Sequence, residues 1–263
     1  MVGIVERLVP DELWELFQRV VSEAPSRPQG GGRRGHGDRE VLAAIVFVAT
    51  SGCTWQLLPS ASFGPTGATA HRRFSEWSEA RVWAKLHHLV LDELGARGEL
   101  DWSRCAINSV NMRALKGDLA GPNPVDRGKY GSKIHLVTER TGLPISVAIS
   151  GANVHASQAL IPLVKGVPPI RSRRGRPGRL HADKGYDYRH LRQWLSGRGI
   201  WHRIARKGIE TSQRLGRHRW TIERTMSWLA GCRRLHRRYE RKADHFLAFT
   251  SIACTLICYR RLA

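Results

Sequence analysis

Two acids draw attention in the second half of this 263-residue chain, because acids are scarce there. Asp183 closes the short apolar stretch 179–182 in the sequence His-Ala-Asp-Lys-Gly-Tyr-Asp. A carboxylate at the carboxyl end of a strand stands at the sheet rim, where α/β folds gather their sites. Glu223 lies in 217–232, a stretch of helical periodicity, four residues after Arg219 and flanked by Trp220 and Trp228. One acid from a strand end and one from a later helix could converge on a metal. Mg2+ takes oxygen ligands, usually one or two carboxylates with water and phosphate oxygens. Two such ions roughly 3.5–4 Å apart can activate a water or a hydroxyl and stabilise the leaving oxygen of a phosphodiester. That chemistry normally needs a third carboxylate on the central strand, and the position pointing there is Asn108. Plainer readings stand beside it. Asp-x-Gly-Tyr after a strand is often a turn, and Glu four residues from Arg is often a helix-surface pair.

The charge favours a phosphate-facing site. The chain carries 43 Lys plus Arg against 22 Asp plus Glu, a formal net charge of +21. Residues 1–100 hold 11 basic and 12 acidic side chains, and 101–263 hold 32 and 10. A near-neutral half and a strongly basic half suggest two compartments, with a polyanion as partner. Hydrophobic residues at 41% and nine Trp exclude a disordered polycation. The longest apolar runs, near 41–50 and 246–258, are too short for the ~20 residues of a membrane span, and no signal-peptide pattern opens the chain. No membrane partner is expected, and a bacterial cytoplasmic, nucleoid-associated setting is. Five Cys with no C-x-x-C pair argue against a disulfide framework or structural zinc.

The elements that must position these residues follow from periodicity. A helix is expected over 8–22, then a flexible basic connector over 25–37, with Asp38 capping a buried helix. Residues 67–94 read as two helices or one broken one. A helix-turn-helix-like module over 1–97 would turn Arg72 and Arg73 toward nucleic acid, whereas a plain bundle would leave them solvated. From Trp102 the pattern changes to strands at 103–110, 132–139 and 143–150, with a hairpin at Thr141-Gly142. A helix over 156–164, a strand over 179–182, a helix over 188–196, a strand over 200–205, and helices over 217–232 and 245–258 complete the order. This is an α/β class: a mixed sheet flanked by helices over 98–263, preceded by a small all-helical domain.

The run 171–179 holds five Arg, among them Arg171, Arg173, Arg174 and Arg176, with two Gly. Gly and Arg together suit close, forked contacts to phosphate, though a solvated loop would look the same. Arg233 and Arg234 begin a second basic run, in which Tyr239 could stack on a base or simply pack. Lys184, Arg203, Lys207, Arg219 and Arg224 are further cations near the two acids. The His residues show no metal-ligand spacing, and His181 and His202 read as core or backbone-contacting residues. Gly30–Gly32 lacks the setting of a P-loop.

The segments 106–118, 122–155, 180–187 and 217–240 together resemble the short bacterial insertion-sequence transposases of the IS-five type. Strand-end Asp in Asp-x-Gly-Tyr followed some 40 residues later by Arg-Trp-x-x-Glu-Arg is specific in combination. The resemblance covers nearly the whole chain. It implies a ribonuclease H-like domain with an Asp-Asp-Glu triad, behind a helical DNA-binding segment. Carried over by position, Asp183 is the second Asp and Glu223 the Glu, both metal ligands. The first Asp falls on Asn108, and Ala156 stands where the family usually has Asp after His. The implied function is binding of terminal inverted repeats, with cutting and joining of double-stranded DNA by two Mg2+, for which Mn2+ can substitute. A homodimer on DNA is implied too. Asn108 keeps a carbonyl oxygen but loses the charge that fixes a divalent ion, so cleavage by this chain is expected to be impaired. A non-cutting DNA-binding protein of the same fold is the alternative. A structured RNA- or ribosome-associated protein is a third, and it predicts residues 108, 183 and 223 far apart.

Overall fold

A computed structural model describes residues 3–22, 36–171, 177–206, 208 and 212–262, with the backbone alone over 212–219. The expected connector lies outside the described residues up to position 35.

The helical part runs α1 (Ile4–Leu8), α2 (Asp11–Gln18), α3 (Asp38–Ser51), α4 (Ser60–Phe63), α5 (Gly67–Glu79) and α6 (Val82–Ala96). The single helix expected over 8–22 is divided, because Pro10 has no N–H to continue a helix and instead precedes α2 as its N-cap. Leu13, Leu16 and Phe17 form the buried stripe of α2. Asp38 is not a cap: Gly37 holds that position without a side-chain bond, and Asp38 occupies the first turn of α3. Helix α3 is buried from Val41 to Val46 and again at Val48 and Ala49, so it is the inner helix of the group. Residues 67–94 are two helices, parted at Arg81, whose φ of 57° lies in the left-handed region.

The sheet is built from β1 (Cys105–Ala114), β2 (Gly121–Pro122), β3 (Tyr130–Thr138), β4 (Pro144–Gly151), β5 (Arg179–Ala182), β6 (Trp201–Ile204) and β7 (Arg237–Arg238). Its path is β2-β3-β1-β5-β6, with β4 also on β3 and β7 also on β1. The β1–β3 and β3–β4 pairs are antiparallel, while β1–β5 and β5–β6 are parallel. Strand β3 is buried along nearly its whole length, as a strand flanked on both sides must be. The parallel pairs need crossovers. These are α7 (Leu160–Lys165), after a 3-10 turn at Ala156–Ala159, and α8 (Arg189–Gly197).

Helix α9 (Ser212–Ala230) packs over β1, β3 and β5. Helix α10 (Ala243–Leu262) is buried almost all round and packs on α6, α5, α3, β4 and α9. A helix apolar on every side belongs in a core. It joins the helical part and the sheet into one continuous cluster running from Val9 to Tyr259. Among the described residues no helix is long and apolar enough to cross a membrane.

Candidate active site

Strand β1 leaves the core at the position of interest: Cys105, Ala106 and Ile107 are buried, and Asn108 is the first residue that is not. Its register on β5 pairs Cys105 with Leu180 and Ala106 with His181. The pairing ends there, with Asn108 and Asp183 each two residues further along their strands' direction. Both stand at the carboxyl edge of the parallel pair.

Asp183 caps a 3-10 turn, Lys184–Tyr186, by accepting from the Gly185 N–H at 2.8 Å. The turn reading of Asp-x-Gly-Tyr is therefore correct. A Cβ on Gly185 would stand 2.9 Å from Asp183 Oδ1, so a larger residue there would make the carboxylate shift. The turn is braced from α8, where Arg192 donates to Asp187 at 2.7 Å and to the Ile204 carbonyl at 2.9 Å. The turn at Ala156–Ala159 packs against it, with the His155 ring on Tyr188. Position 156 opens that turn, and it is His155, as N-cap, that accepts from the Ser157 N–H.

Helix α9 presents Thr221, Ile222, Thr225 and Leu229 to the protein interior, and Glu223 is exposed. Its docking is specific. Thr225 Oγ1 donates to the Gly142 carbonyl at 2.6 Å, and Arg224 donates to the Thr141 carbonyl. Gly142, at the hairpin expected from Thr141-Gly142, has φ 98°, and a Cβ there would meet Thr225 Oγ1 at 3.0 Å. The Arg224 guanidinium lies 4.6 Å from the Trp220 ring and 4.5 Å from that of Trp228. Thr225 shows in the sequence only as one of two Thr four apart within a helix, too common a pattern to mark a docking residue.

The donors at 108, 183 and 223 are all oxygens, the type a hard divalent cation takes. Asn108 spends its carbonyl oxygen on the Ser109 N–H at 2.8 Å, whereas Asp183 keeps Oδ2 clear of hydrogen bonds among the described residues. Among the described residues no three His, Cys, Asp or Glu side chains are grouped as a metal site.

The expected cations divide. Arg73 is not turned to solvent: it is fastened to Asp38 at 2.6 Å and to Glu76 at 3.0 Å, over the Trp77 ring. Arg234 is buried, donating to Glu240 at 2.8 Å and to the Cys53 carbonyl at 3.1 Å. Its sequence neighbours gave no sign of this, since the acid that claims it lies six residues on across a turn. Arg171 is exposed, yet its charge is shared with Asp92 at 2.6 Å and Glu93 at 3.2 Å. Burial works against the Asp92 carboxylate, but the Arg171 backbone N–H and guanidinium outweigh it and hold Asp92 below the usual range. Arg72, Lys184, Arg203 and Arg233 are exposed. Arg173, Arg174, Arg176, Lys207 and the Arg219 side chain lie outside the described residues. On β6, burial first, then Arg192 and Arg206, push His202 below its ordinary value.

A sheet whose first three strands are antiparallel, with two parallel strands added beside the first, is ribonuclease H-like. Residues 9–87 match the family described as "Putative transposase of IS4/5 family", and residues 113–258 match the transposase DDE domain. The chain is 45% identical over 157 residues to the "Putative transposase for insertion sequence element IS402" of Burkholderia cepacia, covering 58% of this chain and 74% of that protein. It is 35% identical over 119 residues to the IS402 uncharacterized 16.2 kDa protein of the same organism, covering 44% and 81%. The chain belongs to the IS4/5 family of insertion-sequence DDE transposases. Solved structures it resembles include the Mos1 mariner paired end complex with Mn, at 11% identity and TM-score 0.32 over 93% of this chain and 86% of that one. Another is a simian T-cell lymphotropic virus intasome, at 13% identity and TM-score 0.30 over 76% and 70%. Likenesses this distant say nothing about the site.

Proposed function

We propose that this chain binds the terminal inverted repeats of an insertion sequence as a homodimer on double-stranded DNA, and that its cutting and joining chemistry is attenuated by Asn108. Asp183 and Glu223 would hold a divalent ion, Mg2+ or Mn2+, with the Asn108 carbonyl in the third place. When bound, such an ion polarises a phosphate oxygen and makes a water or 3′-hydroxyl a better nucleophile. The chain's own part is to set the carboxylates and bring phosphate to them. Lys184, Arg203 and Arg224 would neutralise backbone charge, with Arg72 and the helices of 1–97 contributing the DNA-binding segment. The pair of ions expected of the family needs the carboxylate that Asn108 replaces. Losing several kcal/mol of transition-state stabilisation slows the reaction by about two to four orders of magnitude.

The parallel pairing of β1 with β5, which runs toward Asn108 and Asp183, supports this reading. The test is Mg2+-dependent nicking of a duplex bearing the element end, by the chain and by Asn108→Asp. The substituted protein is expected to be faster by a hundredfold or more. Equal, robust nicking by both would overturn the attenuation. A second reading is a DNA-binding protein that occupies element ends without cutting. The Asn108 oxygen spent on the Ser109 N–H favours it, and no nicking by Asn108→Asp would establish it.

A further inference from the structure

The segment after β1 carries a hairpin whose construction serves no part of the site just described. Residues 123–129 join β2 to β3 and close tightly on themselves. The Asn123 N–H donates to the Lys129 carbonyl at 2.8 Å, the Gly128 N–H to the Asn123 carbonyl at 3.0 Å, and the Lys129 N–H to the Asp126 carbonyl at 3.0 Å. Asn123 is buried, and its Oδ1 accepts from the Val125 N–H at 3.1 Å. From β1, Arg113 clamps Asp126 with two bonds of 2.7 and 3.2 Å. The outcome is a rigid tip that holds apolar groups out in water. Pro124 is exposed and Val125 is 76% exposed. Arg127, held at φ 51°, and Lys129 follow them on the returning side of the loop, exposed and in no ion pair among the described residues.

An exposed Pro-Val pair adds nothing to a core. A stiff apolar point with exposed cations beside it is the form of a side-chain wedge that enters the minor groove and opens a base step, while the cations take nearby phosphates. Stiffness matters because the wedge must not fold back when it meets the stack. We propose that the Pro124–Val125 tip is such a wedge, and that it bends duplex DNA held along the sheet edge. This rests on the DNA-transposase reading above.

Strand geometry also gives the tip an approximate place. Arg113 lies five residues beyond Asn108 on β1, and the hairpin begins past it. At the strand rise of ~3.3 Å per residue this puts the tip about 20 Å from Asn108. At 3.4 Å per base pair that is roughly six base pairs from the reacting phosphate.

The experiment uses the full chain and a duplex of about 20 base pairs of mixed sequence, roughly 70 Å long at 3.4 Å per base pair, carrying a donor and an acceptor dye at its ends. Anisotropy reads binding, and energy transfer reads bending. The unsubstituted chain is expected to bind and to raise transfer. Pro124→Ser/Val125→Ser is expected to bind within about threefold but to lose at least half of that rise. Val125→Thr, which keeps the side-chain shape, is expected to lose a smaller part and guards against misfolding of the double variant. Arg127→Gln/Lys129→Gln is expected to weaken binding about tenfold and to flatten its salt dependence. Unchanged transfer in both tip variants, or binding without bending by the unsubstituted chain, overturns the wedge and leaves the DNA reading standing. No binding by the unsubstituted chain overturns both. A tip variant that changes sedimentation of the DNA-free protein while bending persists identifies a protein-docking point and also overturns the wedge.

Discussion

Arg73 on α5 reaches Asp38 on α3, Nη2 to Oδ1 at 2.6 Å, and each side chain is at most a quarter exposed. Its neighbour Arg72 is 66% exposed and pairs among the described residues with Glu76, at 3.5 Å. Two adjacent arginines of one motif thus have opposite uses, one fastening helices and one free to meet a ligand. Arg73→Ala leaves Asp38 without its partner and is expected to cost about 1–3 kcal/mol. Arg72→Ala is expected to leave the melting temperature within a degree. Thermal melts of the two variants check this, and equal losses would refute the division.

The Arg234–Glu240 pair is the deeper one, with side chains 8% and 5% exposed. Removing one member of a buried pair strands the other charge, which costs about 3–5 kcal/mol. Both Arg234→Ala and Glu240→Ala are expected to lose that much in urea unfolding. The loss should persist at high salt, because buried charges are poorly screened. A loss that vanishes in 1 M salt would show a surface pair instead.

Acid should destabilise the fold before any carboxylate titrates. Burial pushes His87 down to about 4, outweighing its hydrogen bond to the Pro144 carbonyl. Burial, with Lys133 nearby, does the same to His135. An unfolded His takes its proton near 6.5. The unfolded chain therefore gains protons first as pH falls. Stability from these two groups is whole above about 6.5 and lost between about 6.5 and 4, by up to about 3 kcal/mol each. Calorimetry from pH 7.5 to 4.5 should show a falling melting temperature, and a flat profile would refute it.

The five thiols should divide four to one. Cys105, Cys232, Cys254 and Cys258 are buried, while Cys53 is partly exposed. Burial pushes the Cys232 thiol up to about 11 and raises the other three buried thiols further. Since the thiolate is the reactive form, a maleimide pulse on the native protein followed by mass spectrometry should show one fast adduct, on Cys53. Two or more fast adducts would mean that the packing around α10 opens readily.

The strand and helix order was legible because each element carries its own periodicity. The strand at 179–182 and the hairpin at Thr141-Gly142 fall where alternation and turn chemistry place them. The parallel pairing of β5 with β1 was legible only through the family resemblance, since nothing local in either stretch announces it. Tertiary ion pairs were not legible. Arg73, Arg171 and Arg234 look alike in sequence, yet each meets its acid through tertiary packing, from 6 to 79 residues away. A count of arginines overstates the charge left for DNA for that reason.

Helix α10 covers α6, yet roughly 150 residues of chain lie between them. At about 5–20 residues per second of synthesis, that is a wait on the order of ten seconds. During this time the inner faces of α6 and β4, which α10 packs against in the finished fold, stand open on the ribosome. The helical segment therefore completes its fold last although it is made first. Messages cut short before α10 would release chains with sticky apolar faces, a hazard the cell's chaperones and proteases would have to meet.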